Sequence, residues 1–285
     1  MKTRGIYRAP RSGWTARHVS LWTGVACLLP LALGVVLALA GWLPADPAAG
    51  SGTIEAPVSA AHWLGTDALG RDTLSRLASA SANFAGPGLL AAAVALLIGT
   101  MLGVAGEFAG PAGGAVAHWL LQVIDAVPKF VLVLLVAAIA RSEIAWVMAA
   151  VGLTFAPQIA GGIRQSVERL RATAFIEAEH SLGVGLGRIV FVHILWGHAR
   201  RLVLGQLTTL VAYALLVESS LSYLGGELGI QEPAASWGNM IARGRDGVFS
   251  GHLLPVLLPA GAISVTLLGW SLLGRGLLGT IEDPP

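Results

Sequence analysis

The sequence predicts an all-α integral membrane protein with six transmembrane helices and both termini in the cytoplasm. Three observations lead there. Hydrophobic residues make up 55% of the 285-residue chain and charged residues only 12%, with a mean hydropathy of +0.72. Soluble domains carry about 25% charge, so this chain cannot clothe itself in a water-compatible surface. Second, four stretches free of Asp, Glu, Lys and Arg run from His18 to Ala45, Leu77 to Gly106, Ile144 to Ile163 and Gly247 to Gly274. Each supplies the about 20 apolar residues that a bilayer span needs. Ala115 to Ala140, with Asp125 and Lys129, and Leu202 to Leu224, with Glu218, bring the number to six. Third, an inward N-terminus puts twelve of the 18 Lys and Arg residues on the cytoplasmic side. Only Arg71, Arg76, Arg141, Arg243 and Arg245 fall outside and Lys129 within a span, as the positive-inside tendency requires.

Taken in order, residues 1–18 form a basic cytoplasmic arm and 19–43 the first transmembrane helix, expected to be a retained anchor rather than a cleaved signal peptide. Residues 44–80 read as an extracytoplasmic segment, because Pro44, Pro47 and Pro57 oppose regular helix. Thr66 or Asp67 is expected to cap a short helix through Leu69, Thr73, Leu74 and Leu77 that leads into the second span. The remaining five spans belong to a core over 81–275. In the third span Asp125 and Lys129 stand four apart, so a continuous helix places them on one face to neutralise each other, with Pro128 as a kink. Near 164–200 a cytoplasmic loop carries Val167, Leu170, Ala174, Phe175, Ala178 and Leu182 at helical spacing. Gly183, Gly185 and Gly187 then permit a turn into a second short helix over Ile189 to Trp196, and residues 276–285 form a cytoplasmic tail.

Several function classes fall away on the residues alone. The net charge of +2 and pI near 9.0 reflect topology and not nucleic-acid binding. Cys27 is the sole cysteine, so no intrachain disulfide and no Cys-based zinc site is expected. The only lysines are Lys2 and Lys129, and no Walker-type phosphate loop, His-Glu-x-x-His zinc pattern or Gly-x-Ser-x-Gly elbow occurs. No catalytic residue and no metal ligand is therefore assigned. An intramembrane hydrolase loses on those absent motifs. A stand-alone secondary transporter is the other competitor, but the inverted repeats common in such carriers are not seen.

Three motifs carry a family resemblance. Glu177-Ala178-Glu179, with Gly183 following and Ile194-Leu195 further on, resembles the cytoplasmic "EAA" loop of ABC importer permeases, with Glu179 and Trp196 as departures. The run from His62 to Arg76 includes Gly65, Thr66, Asp67, Gly70, Arg71 and Asp72. It resembles the signature before the second span in C-type permeases of the dipeptide, oligopeptide and nickel importers. From the residues alone its role reads as structural: Gly65 and Gly70 permit turns, Asp67 or Asp72 caps a helix start, and Arg71 pairs with a nearby carboxylate. Glu218 to Gly225 and Pro233 to Met240 resemble the end of the fifth span and the next external loop in that family, with Gly226-Glu227 as a two-residue insertion.

The resemblance implies the type I permease fold of ABC importers in the bacterial cytoplasmic membrane, with the first span at the edge of the other five. It implies a non-catalytic subunit for di- or oligopeptides or nickel and metal-chelate ligands. Its partners are then a second homologous permease, two ATP-binding subunits, an extracytoplasmic substrate-binding protein and membrane lipid. This chain would bind no cofactor; ATP and Mg would sit on the ATPases. Glu177, Ala178 and Gly183 would form the loop that docks on an ATPase. Glu218, a charge inside a span, lines the path or the permease interface, or else is a buried structural carboxylate bonded to neighbouring helices, the reading we prefer.

Overall fold

The computed structural model describes residues 12–50, 53–140, 143–171, 196–197, 199–225, 228–249 and 251–278. Among them the chain is helical, with no strand beyond two isolated bridges, Gly50 with Arg71 and Thr66 with Asp72. Eight α-helices lie among the described residues: α1 Ser12–Leu39, α2 Thr73–Phe108, α3 Gly110–Ala126, α4 Lys129–Ala140, α5 Ile144–Arg171, α6 Arg200–Leu224, α7 Trp237–Val248 and α8 Leu254–Leu278. Helices α1, α2, α5, α6 and α8 are each long and apolar enough to cross a membrane, and α3 with α4 forms a bent apolar pair that makes a sixth if it crosses as one broken span. In lipid only helices or closed barrels can satisfy every backbone polar group, so this architecture is what the apolar composition demands.

Burial ranks the helices. Over its most apolar window α5 is 56% buried, whereas α1 is 11% and α8 17% buried. Helix α5 therefore forms the centre, while α1 and α8 pack against each other at the edge and leave most of their surface uncovered by the other described helices. The core joins Ala91 and Ala95 of α2 to Val151 and Ile159 of α5, then to Val133 of α4 and Leu210 and Leu215 of α6. Without a hydrophobic drive between helices in lipid, such contacts rely on small residues that let backbones approach. Gly152 shows this: a Cβ there would lie 2.3 Å from the Ala91 carbonyl oxygen and 2.9 Å from Val94 Cβ.

The elements differ from the sequence expectations in four places. The span expected over Ala115 to Ala140 is broken at Val127-Pro128, where α3 and α4 meet at 81°. Proline removes a helical donor and clashes with the preceding turn, and here the chain turns sharply instead of kinking. Asp125 and Lys129 consequently end one helix and begin another, and do not share a helical face. The short helix from Thr66 or Asp67 is absent, because residues 65–72 are held in turns and α2 begins at Thr73. The fourth span does not stop at Ile163: α5 continues to Arg171, carrying Val167 and Leu170 buried on its inner side. Gly247 to Gly274 is divided by a turn, and only Leu254 onward is the last span.

Helix α2, at 36 residues, is about 54 Å long. That exceeds the roughly 30 Å hydrocarbon layer, which leaves its first turn, with Arg76, available to a polar cap at that end of the bundle.

Replacing Gly152 with leucine is expected to force α2 and α5 apart, at a cost of about 1–3 kcal/mol or more. Gly161, where an added Cβ would meet nothing within 4 Å, is the matched control. Thermal aggregation in detergent, followed by fluorescence size-exclusion, should show a lower midpoint for Gly152→Leu and no change for Gly161→Ala.

Candidate functional site

The signature residues predicted from the sequence converge on one polar cap at the N-terminal end of α2. Asp67 sits at its start. Its Oδ1 accepts from the backbone N–H groups of Leu69 and Arg71, both at 2.9 Å, and its Oδ2 accepts from Arg71 Nε at 2.8 Å. Gly65 and Gly70 have φ of +73° and +72°, a region that only glycine enters freely. A Cβ on Gly65 would also stand 2.5 Å from the Ala56 carbonyl oxygen. Thr66 fastens the preceding loop: its hydroxyl donates to the Thr53 carbonyl and accepts from Ala56 N–H, both at 2.8 Å.

Asp72 is the N-cap of α2. Its Oδ2 accepts from Ser75 N–H at 2.8 Å and from Ser75 Oγ at 2.7 Å, while Oδ1 meets His62 Nδ1 at 2.9 Å. This is the cap arrangement that satisfies an orphan donor of the first turn. Burial opposes the Asp72 charge, but the bonds from Ser75 and His62 outweigh it and hold the carboxyl below its ordinary 3.8.

The centre of the cap is Arg76, whose side chain is 0% exposed. It donates to the carbonyl of Pro47 at 3.0 Å, to Glu232 Oε1 at 3.3 Å and to Asn239 Oδ1 at 3.4 Å, and its Nε lies 3.5 Å from Asp67 Oδ2. Arg71 pairs with Glu232 as well as Asp67. Burial works against the Arg71 charge, yet hydrogen bonds from Glu232 and Asp67 raise its pKa above the ordinary value. Two guanidinium groups and two carboxylates thus tie the segment before α2 to the segment between α6 and α7. Asn83 Nδ2, donating to Ala235 O at 2.8 Å, and Trp237 Nε1, donating to Leu77 O at 3.1 Å, add neutral ties across the same seam.

Glu218 lies beneath this cap, 2% exposed. Its Oε1 accepts from Ser222 Oγ at 2.7 Å and Ser236 Oγ at 2.6 Å, and Oε2 from Ser219 Oγ at 3.3 Å. Ser236 is also the N-cap of α7, where Asn239 closes a capping box. Within this chain, then, Glu218 couples α6 to the start of α7. Glu177, Ala178 and Gly183 of the predicted coupling loop, and the Gly226-Glu227 insertion, lie outside the described residues.

Sequence reasoning missed Glu232, Arg76 and Asn239 as members of the site. Arg76 stands in the signature run, but Glu232 and Asn239 are 156 and 163 positions from it, and no local pattern links them. Lys129 also lies elsewhere than its spacing from Asp125 implies. Its ammonium lies 4.1 Å from the Phe155 ring centroid, and the Gln158 amide, turned so that its nitrogen donates to the Phe155 and Thr154 carbonyls, accepts from it at 2.5 Å. The cap's charges are spent on one another, which suits a rigid clamp and not a reaction centre. Among the described residues no group of three or more His, Cys, Asp and Glu is placed to hold a metal ion.

Comparison with known proteins agrees with this non-catalytic picture. Residues 95–275 match the family model of the binding-protein-dependent transport system inner membrane component. The chain is 34% identical over 226 residues to the glutathione transport system permease protein GsiD of Pectobacterium atrosepticum, covering 79% of this chain and 73% of that protein. It is 32% identical over 278 residues to a putative peptide transport system permease protein of Brucella abortus, covering 93% and 88%. With the dipeptide transport system permease protein DppC of Bacillus subtilis the identity is 30%, covering 79% and 70%.

Two outcomes follow from the cap. Arg76→Met removes one of the two guanidinium groups that Asp67 and Glu232 share, leaves the buried cap with an excess negative charge and should cost about 3–5 kcal/mol; adding Glu232→Gln, which keeps Arg71 paired with Asp67, should recover part of that loss in a thermal-shift assay. Because Asp72 is held below 3.8, its contribution is complete above that pH and is lost as pH falls through the lowered value. Asp72→Asn should therefore flatten the acid limb of the stability–pH curve.

Proposed function

Since the chain belongs to the family of binding-protein-dependent transport system inner membrane components, we propose that it is the membrane path of an importer for short peptides. It is a multi-pass permease of the inner membrane, it carries no catalytic site of its own, and its family works with an ATPase and a substrate-binding protein. The observation that carries the peptide reading is the likeness over most of the chain to permeases named for glutathione, dipeptides and oligopeptides.

In this reading both termini face the cytoplasm, and the charged cap faces outward, where the binding protein arrives. A second homologous permease completes the path, and two ATPase subunits bind below. Glu177 and Ala178 enter a cleft on one ATPase, and Gly183 sets the turn that fixes their angle. ATP and Mg act on the ATPases, whose closure moves α5 and α6, the helices on either side of this loop. Support comes from α5, which continues as one helix to Arg171 and so forms a stiff lever leading into the loop. The clamp at the opposite end gives that lever something fixed to work against.

The test is to tag the chain, solubilise its native membrane in mild detergent and identify what copurifies. A second permease and two ATPase chains are expected; recovery of this chain alone under several gentle conditions would sink the assembly. In the same strain Gly183→Pro should lower peptide uptake at least about tenfold, the scale set by losing a packed docking contact, with membrane insertion unchanged. If nickel uptake fails instead of peptide uptake, the substrate class is the part to be replaced.

A further inference from the structure

We propose that the cleft between α2, α3 and α5 grips the charged ends of a passing peptide, Asp125 receiving the ammonium group and Arg164 the carboxylate. The proposal rests on the peptide-import reading above and gives it a place inside this chain.

His118, Gln122 and Asp125 follow one another at four- and three-residue steps, which puts them on one face of α3. Polar and ionisable groups inside a span are costly, and they commonly face a bundle interior or an aqueous path. Here the three line a cleft of ≈ 210 Å³ together with Gly161 and Arg164 of α5. A continuous third span would have set Lys129 beside Asp125. The elbow at Pro128 instead sends Lys129 to the Phe155 ring and Gln158. Among the described residues Asp125 has no ion pair or hydrogen bond in contact, and it feels Lys129 only through space. A carboxylate lining a cleft in a membrane span with no counter-ion in contact is one that a ligand cation would complete.

The opposite wall carries the opposite charge. Arg164 Nε donates to Glu168 at 2.9 Å, and Glu107 adds a more distant negative field. The Arg164 side chain is 59% exposed, and the planar guanidinium is well shaped for a carboxylate. Asp125 and Arg164 together match a zwitterion. The cleft is smaller than the about 300–1,000 Å³ that enclose a drug-sized ligand, so it holds main-chain ends and does not read side chains. The termini are the features that peptides of every sequence share, which fits a path that must pass many of them.

The probe is tri-alanine against tri-alanine blocked by N-acetylation and C-amidation, applied to the whole purified assembly without its binding protein. Gln122→Cys puts a thiol on the cleft wall, in a chain whose single native cysteine, Cys27, is replaced by serine. Maleimide labelling of position 122 should slow about tenfold when free tri-alanine reaches ten times its midpoint concentration, and the blocked peptide should protect far less. Asp125→Asn should narrow the difference between the two peptides, and Asp125→Asn with Arg164→Gln should remove it. Gly161→Leu, which fills space the structure leaves open, should abolish protection. Equal protection by free and blocked peptide, or none by either, overturns the proposal even if Asp125→Asn fails to assemble, because that comparison uses intact Asp125. Uptake of tri-alanine by the same preparation in proteoliposomes tests the import reading separately: uptake without protection removes only the cleft.

Discussion

A buried arginine decides where the chain's distant segments meet. Arg76 is shut away from water, and a buried ion carries a desolvation cost of several kcal/mol unless its partners are well placed. Those partners come from the loop after α1, from the turn before α2 and from the segment between α6 and α7. Displacing any one of these segments would strand a charge. The cluster thus acts on geometry more than on net stability, since an apolar replacement of equal volume is often as stable. Through Ser236 the same constraint reaches Glu218 and sets the approach of α7 to α6.

Away from the cap the bilayer imposes different rules. Apolar contact with a neighbouring helix offers little advantage over contact with lipid, so α5 is held by close fit and not by greasiness. Its glycine at position 152 meets the α2 backbone directly. The outcome is a molecule clamped by charge at one end and by small-residue packing through its middle. The opposite end of α5 leads toward the segment for which we propose the ATPase contact. A stiff element between a fixed end and a driven end turns a push into rotation or tilt, which is the mechanical need of a permease without its own energy source.

Much of this was legible in the amino-acid order. Apolar runs and the positions of Lys and Arg report spans directly, because the cost of a charge in lipid is large enough to dominate local preference. Asp72 as cap and Arg71 as ion-pair partner were readable because both act within a few residues. The role of Glu232 was not, since its partners lie more than 150 residues earlier. Asp125 and Lys129 misled for an instructive reason: four-residue spacing means a shared face only if the helix continues, and Pro128 stops it. The charge-free run ending at Ile163 likewise marked where lipid-compatible sequence ends and not where the helix ends, because α5 goes on through Arg164 and Arg169.

The central claim is that this chain is a passive path driven by partners, and vesicle transport tests it most directly. Proteoliposomes containing the purified assembly would be supplied with labelled peptide and binding protein, with or without ATP at the ATPase face. The account predicts accumulation that requires ATP, the ATPase subunits and the binding protein together, and that is indifferent to imposed proton or sodium gradients. Gradient-driven accumulation by this chain alone would contradict it and make the protein a self-sufficient carrier.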